Sequence, residues 1–434
     1  MSIKEACRIL VLDPIHGAEV IAEELKELEK QVEVFDPYHQ TFSKALDYDL
    51  VIAPVHLNPN FEVVRQTLKM EIPIVNHHEA VKEIAALKNL FAGIKVVEVT
   101  GTVGKTAVCE LICQLLNKEK FEVLSHTSSS TRFKSAEKGV LFPRIGSTPA
   151  NMLKVMEIAR EKNLKPNIAV FEVSLGLTGA GNVGVITSLK ADYRIAGGTK
   201  DASVVKRGSM KNYESKHGSI IVHPGSLRTD EEVVANTFGN KDNSLWISKR
   251  ENKVIFNRLR TITGDSISGE IAFKSFDLFG GEYYRNSLEA AFCAVLSLGI
   301  PPEEVNTNIS AVKGRMKLEK LKGRFLIDNS NSGTKLKFLD EITRMARQYS
   351  EKMILIVGEE SQYVCEGVDL EEVKQVVKNV ASDFVEIIIV GEEFRDKIEG
   401  ENVFFSDDLD SALEKAVNDS EEGFVIISNV KTWR

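Results

Sequence analysis

The run Lys95-Val96-Val97-Glu98-Val99-Thr100-Gly101-Thr102-Val103-Gly104-Lys105-Thr106 restricts what this chain can fold into more than any other stretch. A β-branched apolar segment passes straight into a glycine-containing turn that ends in Lys-Thr, and the apolar helical pattern TAVCELICQLL follows at once. Glycines let backbone N–H groups turn inward around phosphate oxygens, and the helix N-terminus adds partial positive charge. In such a loop Lys105 neutralises the β- and γ-phosphates and the Thr106 hydroxyl can ligate Mg²⁺. The common spacing G-x-x-x-x-G-K-[ST] would need a glycine where Val99 stands, so this is a shortened variant in the required strand–loop–helix context. A plain surface turn is the bland alternative, and that context weighs against it. Gly101, Thr102, Val103, Gly104, Lys105 and Thr106 are therefore the expected nucleotide cradle. Asn240-Lys241-Asp242 lacks the N-K-x-D spacing that reads guanine, so ATP is expected rather than GTP.

At 434 residues the chain is long enough for two to four domains. Strand-like and helix-like segments alternate throughout, which is the grammar of parallel sheets covered by helices. Ile9–Asp13, Val32–Phe35, Leu50–Ala53 and Ile72–Val75, with a helix over Ala18–Lys30, mark a first unit over residues 1–92. A second, over residues 93–313, holds the phosphate loop, strands at Ile168–Val173, Val183–Ser188 and Ser219–His223, and a β-rich excursion over Phe238–Phe279. Helices at Asn286–Leu298 and Pro302–Val312 close it. A third, over residues 314–434, has strands at Arg324–Asp328, Met353–Val357, Phe384–Val390 and Gly423–Ser428, with helices at Lys335–Gln348 and Leu370–Val380. No internal repeat is visible.

Acidic residues outnumber basic ones by 63 to 55, giving a net charge of −8, which argues against a nucleic-acid partner. No apolar run approaches the length that crosses a bilayer, and MSIKEACRILVLD enters a strand rather than a signal peptide. Five scattered cysteines, an odd number, suit free thiols in a reducing cytoplasm. Cys109 and Cys113 lie four apart on one helix and could imitate a metal pair, but core packing is the expected reading. Five of the eight histidines (His16, His39, His56, His77 and His78) fall in the first unit. Several lie at strand ends, where open α/β sheets bind ligands. They are either solvated or core histidines, or they line a pocket for an anionic or metal-bearing substrate.

With these motifs in order, the chain resembles the Mur ligase superfamily of ATP-dependent ligases. T-G-T-x-G-K-T is the form of phosphate loop that family uses. Phe171-Glu172-Val173-Ser174 resembles its E-x-S strand end, whose glutamate binds Mg²⁺. Ile186–Tyr193 stands where the family has T-N-x-x-x-D-H; Asp192 matches, and Tyr193 replaces the histidine that would hold a second Mg²⁺. Tyr213-Glu214-Ser215-Lys216 resembles Y-x-x-x-K, one residue shorter, whose lysine is carbamylated in many members. Asn286-Ser287-Leu288-Glu289-Ala290-Ala291 resembles the helix whose asparagine contacts adenine, with Glu282 and Tyr283 departing from the preceding pattern. Gly314-Arg315 and Asp328-Asn329-Ser330 resemble the segments that close over ATP, with Asn329 in place of a second aspartate.

The resemblance implies an α/β, three-domain architecture with a central P-loop NTPase domain and Rossmann-like N- and C-terminal domains. It implies Lys105, Glu172 and Lys216 as catalytic residues, Thr106 and Glu172 as metal ligands, and Asn286, Arg315, Asp328 and Asn329 at the nucleotide. The turn Asp13–Ala18 lacks the G-x-G-x-x-G of the uridine-binding members. The opening ILVLDPIHGAEVIAEEL and closing VIISNVKTWR are instead similar to the coenzyme F(430) synthetases of methanogenic archaea. That narrower resemblance implies a carboxylated nickel tetrapyrrole as substrate. Its carboxylate would be activated by ATP and attacked by a ring carbon, with release of ADP and phosphate. An amide-forming ligase shares every ATP-site residue, and a nucleotide-gated tetrapyrrole or metal carrier shares the phosphate loop. Trp433-Arg434 either ends the last strand or contacts substrate.

Overall fold

The structure is a computed structural model. It describes the chain except residues 43–45, 118, 191, 214–217, 228–233, 249–251, 275–281, 311, 313–315, 332–333, 335, 337–338, 361–367 and 433–434, and the side chains of 282, 283 and 341. It divides into two compact units, the larger formed by Met1–Lys274 with Tyr283–Ile309 and the smaller running from Ser310.

The larger unit contains two principal sheets. The first has four parallel strands in the spatial order Gln31–Phe35, Arg8–Leu12, Leu50–Ala53, Ile74–Asn76. The second has eleven strands, with Lys95–Thr100 between Val183–Ile186 and Ile168–Glu172, all three parallel. Its antiparallel end, Leu245–Ser248, Lys253–Arg260 and Ser266–Ala272, is the expected β-rich excursion.

One apolar core serves both sheets. Ile9, Val11 and Leu50 of the first sheet share a cluster with Val96, Ala169 and Phe171 of the second, and helices Ala18–Glu27, His77–Leu87 and Asn151–Glu161 lie between them. The helix Asn151–Glu161, which the sequence reading passed over, buries Met152, Leu153, Val155, Met156 and Ala159 in that core. Gly17 is where this packing is tightest: φ is +110°, and a Cβ there would lie 2.6 Å from Ala150 Cβ.

Two of the departures from the expected helices have a visible cause. The helix from Ala18 stops at Glu27 because Glu29 takes a left-handed conformation, φ 59°, and turns the chain into the next strand. Residues Pro302–Val312 form a single 3-10 turn at Pro302–Glu304 among the described residues. The chain after it is spent on the end of the phosphate-loop helix: Asn306 N–H donates to Leu115 O and its side-chain amide to Gln114 O. Those are carbonyls a helix end leaves without internal partners.

The smaller unit is a six-stranded sheet in the order Lys317–Leu321, Arg324–Asp328, Val425–Lys431, Met353–Glu359, Glu386–Val390, Val403–Ser406, parallel except for the first pair. Helices Leu339–Ala346, Leu370–Val380 and Leu409–Asn418 accompany it. Among the described residues no helix is long and apolar enough to cross a membrane.

Leu153 is fully buried within the shared core. Leu153→Ala is expected to cost about 2–5 kcal/mol. In urea titration both sheets of the larger unit should lose stability together; a variant that unfolds the first sheet alone would show two separate cores.

Candidate functional site

The expected phosphate loop lies where the central strand Lys95–Thr100 ends and the helix Lys105–Leu115 begins. Gly101 has φ 150°, and a Cβ there would lie 2.1 Å from Thr187 Oγ1, so only glycine fits. Thr187 and Ser188, just past strand Val183–Ile186, strap the loop: Thr187 Oγ1 donates to Val103 O, and Thr102 donates to Ser188 O from both its N–H (2.8 Å) and its hydroxyl (3.0 Å). Lys105 Nζ donates across the loop to Gly101 O at 3.3 Å.

Strand Ile168–Glu172 runs parallel beside the central strand with Glu172 opposite Val99. That register brings a carboxylate to the mouth of the loop. Thr106 Oγ1 donates to Glu172 Oε2 at 2.8 Å, and Ser128 N–H donates to the same oxygen at 3.2 Å. Both residues of the Thr106–Glu172 pair are buried. A hydroxyl and a carboxylate of this kind are the hard oxygen donors Mg²⁺ takes, usually with phosphate oxygens and water completing the shell. Ser128, absent from the sequence-based set, comes from a loop 44 residues away.

Asn286 is half-buried in the helix Glu282–Ser297. Its neighbour Ser287 faces the loop, with Oγ 3.2 Å from where a Gly104 Cβ would stand. Asp328 and Asn329 belong to the smaller unit. Asp328 Oδ1 accepts from Ser330 N–H at 2.9 Å, and buried Asn329 donates its amide to Asn429 Oδ1 at 2.7 Å. Lys216, Gly314, Arg315, Trp433 and Arg434 lie outside the described residues. Cys109 is buried and Cys113 partly so in the phosphate-loop helix. Burial pushes the Cys109 thiol well up and that of Cys113 up to about 11, as core thiols behave.

Two residues beyond Glu172 the chain reaches a cavity of about 380 Å³. It is lined by His16, His56, His77, His78, Ser174 and Tyr193, among others. Four of the five first-unit histidines therefore converge; His39 does not, and pairs with Asp36 at the surface. His78 ties the two sheets at this point, its Nε2 bonded to Ser174 O at 2.8 Å, and His77 Nε2 bonds Leu12 O at 3.1 Å. Tyr193 accepts a 2.9 Å hydrogen bond from the ammonium of Lys206, which is fully buried. Beneath the cavity, Asp13 is buried in a left-handed conformation, φ 79°, at the end of the first strand. Burial alone would raise its pKa, but hydrogen bonds from His16 and His56 outweigh it and hold the carboxyl far below the usual range.

Burial, assisted by mutual repulsion, pushes His77 down to about 3, and burial pushes His78 down to about 4, so both are neutral in the fold. Below the ordinary histidine value of about 6.5 the unfolded chain binds protons that the folded chain refuses. Their stabilisation is complete above that pH and falls as pH drops towards 4, by up to about 1.4 kcal/mol per pH unit for each ring. Urea midpoints at pH 7.5 and 5.0 should show this loss, and His78→Gln should reduce it; an equal loss in the variant would place the titration elsewhere.

Residues 318–432 match the family profile described as "Coenzyme F430 synthetase CfbE, C-terminal domain". The coenzyme F(430) synthetase of Methanosarcina acetivorans is 29% identical over 475 residues, covering 98% of this chain and 99% of its own. That of Methanocaldococcus jannaschii is 27% identical over 424 residues, covering 90% and 93%. Among solved structures, the MurF ligase of Thermotoga maritima in complex with ADP superposes with a TM-score of 0.54 at 14% identity, covering 98% of this chain and 92% of that one. The chain thus has the Mur ligase fold, and over nearly its whole length it resembles the coenzyme F(430) synthetases.

Proposed function

We propose that this protein is an ATP-dependent ligase that activates a substrate carboxylate as an acyl phosphate. Its substrate is a seco nickel tetrapyrrole acid, whose carbocyclic ring it closes with release of ADP and phosphate. The observation that carries the reading is the Thr106–Glu172 contact at the mouth of the phosphate loop, two residues from the histidine-lined cavity at Ser174. The similarity to two coenzyme F(430) synthetases over most of the chain supports the choice of substrate.

A carboxylate is a poor electrophile because its charge is delocalised and its leaving group would be oxide. Transfer of the γ-phosphoryl group gives it a phosphate leaving group, and the protein's share of that step is positioning and charge neutralisation. Loop N–H groups other than that of Thr102, which Ser188 O engages, would hold the phosphates, and the Lys105 ammonium would balance charge at the transferring group. Thr106 and Glu172 would hold Mg²⁺, which neutralises phosphate charge when bound. Asn286 lies on the helix next to the loop, in keeping with a contact to the adenine. The acyl phosphate then forms beside the cavity, whose mostly carbon-lined walls limit attack by water. A ring carbon adds to the acyl carbon, the C–C bond forms, phosphate departs with its electron pair, and the ring carbon's proton is lost to solvent.

Anaerobic incubation with ATP, Mg²⁺ and the seco nickel tetrapyrrole acid, following ADP and the macrocycle's absorbance together, tests the reading. The wild type should release ADP in step with the spectral change, and Lys105→Ala should lower ADP release at least about 100-fold. Near-normal turnover by that variant, or ADP release driven by amino acids instead of the macrocycle, would overturn it.

A further inference from the structure

We propose that His16 is an axial ligand to the metal at the centre of the substrate's macrocycle, held for that task by the buried carboxylate of Asp13. The inference rests on the functional reading above and identifies how the cavity grips that substrate.

The geometry is specific. Asp13 Oδ2 lies 2.7 Å from His16 Nδ1, and Asp13 Oδ1 accepts the His16 backbone N–H at 3.2 Å. Tyr38 Oη donates to Oδ2 at 3.3 Å, and His56 Nε2 stands 3.3 Å from the same oxygen. The carboxylate accepts a hydrogen bond from His16 Nδ1–H at 2.7 Å, well inside the 3.3 Å that separates His56 Nε2 from the same nitrogen, which assigns the proton to Nδ1 and the lone pair to Nε2. No described residue bonds Nε2, and the ring lines the cavity with 42% of its side chain exposed. His56 packs edge-on against it, centroids 4.5 Å apart at 82°, and restrains its rotation. A histidine ligand whose second nitrogen is bonded to a carboxylate is the recurrent arrangement by which proteins orient an imidazole and raise its basicity towards a metal.

Asp13, His16 and His56 could alternatively surround a free cation, since their ligand atoms lie within 4.8 Å of one another. A free cation between these atoms would displace the 2.7 Å hydrogen bond and the 3.3 Å ion pair that orient His16. An outward Nε2 keeps every one. A nickel ion held in the plane of a macrocycle offers open positions above and below that plane, and imidazole nitrogen suits nickel. The cavity's position beside Ser174 would bring a macrocycle held there to the end of the strand that carries Glu172.

The test uses the whole protein without ATP, under anaerobic conditions, titrated with the seco nickel tetrapyrrole acid and with its metal-free counterpart. X-ray absorption and the macrocycle's visible spectrum should report an added axial nitrogen on nickel in the wild type. The metal-free compound should bind at least about tenfold more weakly. His16→Ala should lose the axial signature and erase the difference between the two compounds, and free imidazole should restore the signature. Asp13→Asn should keep the ligand with affinity reduced about 10- to 100-fold. Thermal melts of both variants separate misfolding from loss of ligation, and the comparison of the two compounds on the wild type needs no variant. An unchanged nickel spectrum in a wild type that still releases ADP would overturn this inference and leave the ligase reading standing. So would an axial nitrogen that persists in His16→Ala, or stoichiometric binding of nickel chloride alone to the wild type that His16→Ala abolishes. A protein that neither binds the macrocycle nor forms ADP with it would overturn both.

Discussion

The 2.8 Å contact between the Thr106 hydroxyl and the Glu172 carboxylate is what the proposed chemistry depends on. Neither residue reaches the other through local structure. The first opens a helix and the second ends a strand, and they meet because strands Lys95–Thr100 and Ile168–Glu172 are parallel neighbours in one register. A register slip of one residue would turn Glu172 to the opposite face of the sheet. The fully buried β-branched residues of these strands, Val96, Val97, Val99, Ile168 and Val170, make such a slip prohibitive. The core thus maintains an oxygen-donor pair to within a hydrogen bond's tolerance.

Electrostatics around the cavity follow a consistent rule. Two buried carboxylates of the larger unit are each answered by several donors: Asp13 by His16, His56 and Tyr38, and Glu98 by Thr178 N–H, Gly181 N–H and Tyr213. Ionised acceptors can persist at such depth only when their lone pairs are satisfied. The imidazoles of His77 and His78 take the other course and stay neutral, which suits walls that must be dry.

Much of this was readable along the chain. The strand–turn–helix arrangement around Thr100–Thr106 was legible because the β-branched run, the glycines and the apolar helical pattern are all local properties. Strand Arg324–Asp328 and helix Leu370–Val380 fell where expected, and the structure shows the helix capped by the Asp369 side chain. Helix Asn151–Glu161 was missed although Met152, Val155, Met156 and Ala159 recur at helical spacing; it begins after Ala150, which supplies no side-chain cap. Convergence of the histidines was foreseeable only as a possibility, since His16 and His56 are forty residues apart and their alignment on Asp13 is a product of the sheet order. The bond from the Asn329 amide to Asn429, a hundred residues further on, is likewise a contact that no local pattern signals.

The core that serves both sheets of the larger unit has a consequence for how such a protein can diversify. Its N-terminal sheet is not a detachable cassette, because the apolar face it would expose on removal is the partner of Phe171 and of helix Asn151–Glu161. Grafting that sheet from a relative with a different substrate would import a mismatched surface at Gly17, where the Ala150 methyl leaves no room for any other side chain. New specificities are more accessible to this scaffold through replacements at the cavity rim than through shuffling of whole lobes.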